Sequence, residues 1–404
     1  MTRHAIHQLQ ESKIREVANA GLGRADVLPF WFGEGDEVTP HFIRQAAIEA
    51  LQTGETFYAH NLGLPELRQA IAAYTTRLHG AQGRVVGPER IAVTAGGVSA
   101  LMLAMQALID PGDEVVVVTP VWPNLTAQPQ ILGARLSCVS LKPQAGAWKL
   151  DMQELLSEVS HTTRLLILNS PNNPTGWTLS REEQLTILSH CRKTGTWILA
   201  DEVYERLFFG QPGSTPSTVG LQARDDWLCA PSFLDIADPQ DRLVVAHSFS
   251  KSFLMTGWRL GWLVMPAEMT HDMGKLIEFN TSCCSVFVQR AGVAALERHT
   301  EVTPPLVAHL KTCRDTLLPL LSGLNGVEVA PAPGGMYAFF RLHGFDDSLA
   351  TAKRLVVDVG LGLAPGEAFS PQAGAWLRWC FASKEPARLV LGVDRLKHWL
   401  SGYN

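Results

Sequence analysis

Short apolar runs alternate with helix-like patterns along much of the chain. These runs are rich in Val, Ile and Leu, and polar or turn residues bound them. Strands are predicted at Ile91–Thr94, Glu114–Thr119, Arg164–Asn169, Trp197–Asp201, Arg242–His247 and Leu260–Met265. Strands that are apolar on both faces and alternate with helices favour a mostly parallel sheet covered by helices, which is an α/β fold.

Helix signals between the strands support this pattern. A helix is predicted over Val98–Ile109, closed by an Asp-Pro-Gly turn. Ser180 and Glu183 form a capping-box pattern that begins another helix, which we expect to end near Gly195.

The pattern changes near residue 289 to long helices with a few short strands, which include Gly335–Leu342 and Trp376–Phe381. We therefore expect an N-terminal arm and part of a small domain over residues 1–45. A large domain is expected over residues 46–288 and a small α+β domain over residues 289–404.

Composition excludes several classes of function. The 34 basic and 39 acidic residues give a formal charge of -5, which does not favour nucleic acid or an anionic membrane as a partner. The N-terminus lacks the apolar core of a secretory signal, and no apolar run approaches the roughly 20 residues that span a bilayer. Seven scattered cysteines do not make a disulfide framework, and no CxxC or HExxH motif suggests a metal. We expect a cytoplasmic protein with no metal, nucleic-acid or membrane partner.

Candidate chemistry lies just after the predicted strands, where α/β sheets place their sites. Lys251 stands in HSFSKSFLMTGWRLGW, a setting in which desolvation lowers the pKa of an amine and makes it nucleophilic. Ser248, Ser250 and Arg259 offer hydroxyls and a guanidinium to a phosphate. Gly97 lies where a strand turns into a helix, whose free N–H groups attract anions. Taken singly, a loop lysine or a Gly-Gly turn is more often ordinary surface.

Further candidates suit an aromatic cofactor with a basic ring nitrogen. Asp201 ends the TWILAD strand and would keep such a ring protonated. Tyr204 and Asn173 could hydrogen-bond a ring hydroxyl, and Trp122 could stack on the ring. A helix cap, a turn and a core tryptophan are the simpler readings of these residues.

Together and in this order, the segments resemble the class I and II aminotransferases of pyridoxal 5′-phosphate (PLP) fold type I. The resemblance runs from about Ser12 to about residue 400. It rests on the motifs GEGDEVTP (33–40), YAHNLGLPELR (58–68), TAGGVSAL (94–101), VWPN (121–124), NSPNNPTG (169–176), ADEVY (200–204), SFSKSFLMTGWRLG (248–261), PGGMYAFF (333–340) and WLRWCFA (376–382).

The resemblance implies a sheet of about seven strands, a PLP-binding role for the large domain and a role for each candidate. The implied catalytic residues are Lys251, which forms the internal aldimine with PLP, Asp201 at the pyridine nitrogen, and Tyr204. The implied cofactor ligands are Gly97, Val98, Trp122, Asn173, Asp201, Tyr204, Ser248, Ser250, Lys251, Arg259 and, from the neighbouring subunit, Tyr58. The implied substrate-binding residues are Gly33, Trp122, Asn173 and Arg378, which grips the α-carboxylate.

The implied function is transfer of an amino group from an L-amino acid to a 2-oxo acid by a ping-pong mechanism. The implied assembly is a homodimer with shared active sites. A carbon–sulfur β-elimination lyase on the same scaffold is the alternative, because elimination also begins with removal of the Cα proton. A PLP-binding transcriptional regulator is disfavoured, since the chain has no basic segment or space for a helix-turn-helix.

Departures from the family pattern concern the substrate. Gly35 replaces a proline that is common in the family, and residues 214–241 suggest an insertion near the site entrance or dimer edge. No second cation for a distal carboxylate is evident, so aspartate or glutamate is not the expected donor. An apolar or aromatic side-chain pocket is expected instead, formed by Trp31, Phe32, Phe57, Cys283, Cys284, Met336 and Phe369.

Overall fold

The computed structural model describes residues 2–80, 83–144, 146–210 and 228–402. The strands of these residues are β1 (Leu28–Pro29), β2 (Ile91–Thr94), β3 (Glu114–Thr119), β4 (Arg135–Ser140), β5 (Lys142–Gln144), β6 (Ala147–Lys149), β7 (Thr163–Asn169), β8 (Trp197–Asp201), β9 (Leu243–Ser248), β10 (Gly261–Val264), β11 (Val327–Val329), β12 (Tyr337–Leu342), β13 (Leu361–Gly362), β14 (Ala364–Pro365) and β15 (Trp376–Cys380).

The helices of the same residues are α1 (His4–His7), α2 (Lys13–Ala20), α3 (His41–Gln52), α4 (Pro65–His79), α5 (Gly97–Leu108), α6 (Asn124–Ile131), α7 (Met152–Glu158), α8 (Arg181–Thr194), α9 (Phe249–Ser252), α10 (Thr270–Thr281), α11 (Val286–Glu297), α12 (Thr303–Ser322), α13 (Ser348–Val359) and α14 (Pro386–Ser401). In the part of the chain that is described, none of these helices is both long and apolar enough to cross a membrane.

The largest sheet has seven strands in the order β2-β10-β9-β8-β7-β3-β4. Strand β10 runs antiparallel to both of its neighbours, and the other adjacent pairs are parallel. The expected α/β fold is therefore confirmed, and the six predicted strands agree with the observed ones to within one residue at each end. The pattern missed β4, because this edge strand is mostly half-exposed and carries no apolar run.

Two apolar layers cover the faces of this sheet. One contains the buried side of α5 together with Met273 and Ile277 of α10. The other contains Leu67 and Ile71 of α4 and Ile187 of α8. Burial on both faces explains why the central strands read as continuous apolar runs.

The predicted capping box at the start of α8 is present. The Ser180 hydroxyl accepts a hydrogen bond from the Glu183 N–H at 3.2 Å, and the Glu183 carboxylate accepts one from the Ser180 N–H at 2.7 Å. The helix ends at Gly195, whose φ of +77° lies in the left-handed region that glycine adopts at little cost.

The C-terminal part contains a separate antiparallel sheet in the order β11-β12-β15-β14. The N-terminal arm packs against it, because β1 pairs in parallel with β13 and α2 contacts α13 and β14. The N-terminal arm thus packs with the C-terminal part of the chain.

The proposed insertion at residues 214–241 is only partly visible, since residues 214–227 lie outside the described residues. In the described remainder, Ser232 and Asp235 contact Glu202 and His79, which are buried below the sheet ends. Residues 228–241 do not line the site cavity described below, and their position near the site entrance or dimer edge stays a prediction.

Candidate active site

A cavity of about 480 Å³ opens where β3, β7, β8 and β9 end, between the large sheet and the C-terminal part; we call it the site cavity. Each predicted site residue except Tyr58 lines it. The lining residues are Ile14, Arg15, Phe32, Gly33, Glu34, Gly97, Val98, Leu101, Trp122, Asn169, Asn173, Asp201, Val203, Tyr204, Ser248, Ser250, Lys251, Thr256, Arg259, Tyr337 and Arg378. The residues that follow the predicted strands thus lie together around one cavity.

Lys251 reaches into the site cavity from α9, the single turn of helix that follows β9. Its amine donates a hydrogen bond to the Gly33 carbonyl and lies 5.8 Å from the centre of the Tyr204 ring. Burial lowers the pKa of Lys251 to about 8, and the charges of Arg378 and Arg259 act in the same direction. About a tenth of the amine is consequently neutral and nucleophilic at pH 7, far more than for an ordinary lysine.

Asp201 is the last residue of β8 and is 2% exposed. Burial raises the pKa of its carboxyl to about 7, although a hydrogen bond from the Val203 N–H and the charge of Lys251 act in the opposite direction. The Val203 bond is long, at 3.3 Å. A protonated ring nitrogen in the cavity would give this carboxylate the strong partner that the protein does not supply.

Tyr204 and Tyr337 form a buried pair beside Lys251. Their hydroxyl oxygens lie 2.7 Å apart, and their rings meet edge to face. Burial raises the pKa of both phenols, so both hydroxyls stay protonated at physiological pH. The pair can therefore donate a hydrogen bond to a ligand oxygen in the site cavity.

Arg378 lies on β15, 2% exposed, and its guanidinium is held from two sides. It donates to Asn173 Oδ1 at 3.0 Å and to the Trp31 carbonyl at 2.5 Å. The rings of Tyr337 and Phe369 lie 4.5 and 4.9 Å from its Cζ atom. Its Nε atom is buried without a hydrogen-bond partner among the described residues, so the group has capacity left for an anion.

A third cluster of donors surrounds the start of α5. Gly96 is the N-cap of α5 and has a φ of +88°. Because no side chain accepts a hydrogen bond at this N-cap, the first N–H groups of α5 remain available. A Cβ atom at Gly96 would collide with the Arg259 guanidinium, and one at Gly97 would lie 3.3 Å from the Ser248 Cβ. The two glycines therefore keep open a pocket of N–H groups, hydroxyls and a guanidinium that suits a phosphate.

The groups that line the site cavity fit PLP. A partly neutral lysine, an under-partnered buried carboxylate, phenolic donors and a phosphate-sized donor pocket all line one cavity. Those are the groups that a pyridine ring with an aldehyde, a hydroxyl and a phosphate requires.

Comparison with known proteins settles the family. A family model described as aminotransferase class I and II matches residues 30–396. The chain belongs to this family. Together with its aminotransferase relatives, this membership identifies the chain as a PLP-dependent transaminase.

Several relatives of the transaminase match almost end to end. The aspartate aminotransferase of Pyrococcus horikoshii is 30% identical, covering 98% of this chain and 96% of that protein. The arginine–pyruvate transaminase of Pseudomonas aeruginosa is 31% identical, covering 92% and 88% respectively. The crystal structure of the aspartate aminotransferase from Thermotoga maritima superposes with a TM-score of 0.87 at 29% identity, covering 99% of this chain and all of that one.

Tyr58 is the one predicted site residue that does not line the site cavity of its own chain. It is 88% exposed, and its neighbour Phe57 is 84% exposed. This segment is tied to the loop after α10 by a hydrogen bond from the Ala59 N–H to the Cys283 sulfur at 3.4 Å. Tyr58 is thus exposed on the surface of its own chain and does not line the site cavity.

Most of the residues that were expected to form an apolar side-chain pocket do not line the site cavity. Of the seven residues proposed for it, only Phe32 lines the site cavity. Phe369 packs against Arg378, and Cys284 is buried with its thiol pKa raised to about 12, which makes it unreactive.

Several lining residues of the transaminase were missed by the sequence reasoning. Arg15 lies on α2 with its Cζ 5.9 Å from the centre of the Phe32 ring, so a second cation does line the site cavity, contrary to expectation. No motif marked Arg15, because an exposed arginine on an amphipathic helix is ordinary surface. Tyr337 could have been found, since it stands in the PGGMYAFF motif.

Proposed function

We propose that the transaminase moves the amino group of an L-amino acid to a 2-oxo acid in two half-reactions, with Lys251 as the residue that binds PLP covalently. The observation that carries this proposal is the convergence of Lys251, Asp201 and Arg378 on the site cavity. Each has hydrogen-bonding or charge capacity that the protein leaves unused.

Bound PLP supplies an electron sink for the charge that develops at the substrate Cα. Arg378 binds the substrate α-carboxylate, held in place by Asn173 and the Trp31 carbonyl. This contact orients the substrate so that its Cα–H bond faces Lys251. Once the substrate amine has displaced it, the freed Lys251 amine would remove the Cα proton, and its lowered pKa suits that exchange.

The remaining cofactor contacts are proposed residue by residue. Asp201 would hold a proton on the pyridine nitrogen, Tyr204 and Asn173 would bind the ring hydroxyl, and Trp122 would stack on the ring. Gly97, Val98, Ser248, Ser250 and Arg259 would bind the phosphate, and the Gly33 backbone would line the substrate side.

We also propose a homodimer in which Tyr58 reaches the neighbouring site. Phe57, Tyr58 and Phe279 are more than four-fifths exposed, at 84%, 88% and 91%. Large apolar side chains at such exposure favour burial against another protein surface. Residues 46–288 are proposed as the PLP-binding domain and residues 289–404, with the arm 1–45, as the smaller one; the strands of the two main sheets fall separately within these limits.

The test is a half-reaction without any 2-oxo acid. Holoenzyme mixed with single L-amino acids is expected to release 2-oxo acid in an amount equal to the sites and then to stop until an acceptor is added. Continuous release of pyruvate and ammonia from a β-substituted amino acid would instead identify a lyase. The donor panel should include aspartate and apolar amino acids, since Arg15 and Phe32 both line the site cavity.

A further inference from the structure

A group of five ionisable side chains, four of them buried and one partly buried, lies on the face of the large sheet opposite to the site. We call it the His79 cluster; its members are His79, Glu202, Glu205, Asp235 and His247. All of them except Asp235 are at most 6% exposed. Successive side chains of a strand point to opposite faces. His247 therefore lies on the face opposite to Ser248, its neighbour in the site cavity.

His79 is the centre of this cluster and the last residue of α4. Its Nε2 atom lies 2.9 Å from a Glu205 oxygen, and its Nδ1 atom lies 2.9 Å from Asp235 Oδ1. Burial acts to lower the pKa of His79, but the charge of Asp235 and the hydrogen bonds to both carboxylates outweigh it and raise the pKa well above its usual value. His79 is thus an imidazolium between two carboxylates, at a helix C-terminus that also favours a cation.

Glu202 is anchored separately. Its carboxylate accepts hydrogen bonds from the Ser232 hydroxyl at 2.5 Å and the Phe233 N–H at 3.1 Å. Glu202, Glu205 and His247 lie close enough together to suggest a metal site. Three of the four carboxylate oxygens of Glu202 and Glu205 already accept hydrogen bonds from other groups of the protein. Protein groups, and not a metal ion, are therefore the partners of these two carboxylates.

Glu202 and Glu205 are also the two ends of a tight turn. The Glu205 N–H donates to the Glu202 carbonyl at 2.9 Å, which makes Val203 and Tyr204 the central residues. The Val203 N–H donates to Asp201, and the Tyr204 hydroxyl meets Tyr337. Both ends of the turn are fixed on the core face, while its central residues line the site cavity.

We infer that Glu205, held by His79, is a positioning residue that sets the Asp201–Tyr204 segment against the cofactor ring. The inference rests on the proposed function, because Asp201 and Tyr204 matter only if a ring binds between them. Glu205 itself touches neither cofactor nor substrate and acts through the turn.

The experiment measures PLP affinity of the apoenzyme, visible circular dichroism of the holoenzyme and thermal midpoint for each variant. Glu205→Gln is expected to weaken PLP binding about tenfold, the lower end of the effect seen for residues that orient metal ligands through hydrogen bonds, and to change the dichroism of bound PLP. His79→Gln breaks the same pair, so the double variant should lose no more affinity than either single one. Leu188→Ala, on the same face in α8 and 3% exposed, is the control. It should lower the midpoint and leave both PLP readouts unchanged.

The inference is overturned if Glu205→Gln lowers the thermal midpoint, as the control does, yet keeps wild-type PLP affinity and dichroism. If Glu205→Gln does not fold, His79→Gln takes its place, because it removes the imidazolium that holds Glu205; unchanged PLP readouts there also overturn the inference. A wild-type enzyme that bound no PLP would overturn the proposed function as well, which separates the two failures.

Discussion

Asp201 and Glu205 are both buried at the end of the same strand, yet their pKa values move in opposite directions. Burial raises the pKa of Asp201 to about 7. The pKa of Glu205 is lowered instead, because the interactions with His247 and His79 outweigh the effect of burial. Asp201 faces the site cavity with one long hydrogen bond, and Glu205 faces an imidazolium at 2.9 Å. At Glu205 the protein supplies the charged partner, whereas at Asp201 it leaves that partner to a ligand.

The largest expected effect comes from removing the charge on the cavity side. Asp201→Asn is isosteric but cannot pair with a protonated ring nitrogen. We expect a loss of about 3–5 kcal/mol in transition-state stabilisation, or roughly 10²–10⁴ in kcat/KM. Because Asp201 has only a weak protein partner, the thermal midpoint of the apoenzyme should not fall. Steady-state kinetics and thermal melts check both parts, and a variant with wild-type kcat/KM contradicts the assigned role.

A smaller loss is expected at Arg378. Arg378→Lys keeps the charge but not the planar fork that binds a carboxylate through two hydrogen bonds. Loss of a charge-assisted bond of about 1.5–3 kcal/mol predicts a rise in the KM for the amino donor of roughly 10–100-fold. Donor titrations at saturating acceptor measure this. If KM stays unchanged while kcat collapses, Arg378 does not bind the ground-state substrate.

The pH dependence of PLP attachment tests whether Lys251, on the cavity face, has the lowered pKa of a buried amine. Lys251 must lose its proton to attack PLP, and its pKa is about 8. The attachment rate to apoenzyme should therefore rise about tenfold per pH unit below pH 8 and level off above it. Stopped-flow absorbance on the apoenzyme follows this. A rate that still rose steeply near pH 10 would indicate an ordinary, solvated lysine.

The smallest effect is expected at the rim of the site cavity. Arg15 is exposed and lies over the Phe32 ring, so Arg15→Gln should cost about 1 kcal/mol or less. We expect the KM of acidic donors to rise by less than about fivefold, with apolar donors unaffected. Equal changes for both donor classes would remove Arg15 from substrate selection.

Much of the large sheet could be predicted because its strands are buried on both faces and therefore read as apolar runs. The strand-end positions of Asp201, Ser248 and Lys251 followed from that pattern. Arg15 could not be found in this way, since α2 approaches the site cavity only through long-range packing that no local pattern encodes. The His79 cluster was missed for the same reason: its members come from distant parts of the chain, and each alone looks like a helix end or a loop.

Covalent trapping of the cofactor tests the central claim most directly. Holoenzyme is reduced with borohydride and digested, and the modified peptide is identified by mass spectrometry, with Lys251→Ala as the control. The phosphopyridoxyl group is expected on Lys251 alone, and the control should bind PLP without any stable adduct or turnover. An adduct on another lysine, or turnover that survives in Lys251→Ala, would contradict the claim.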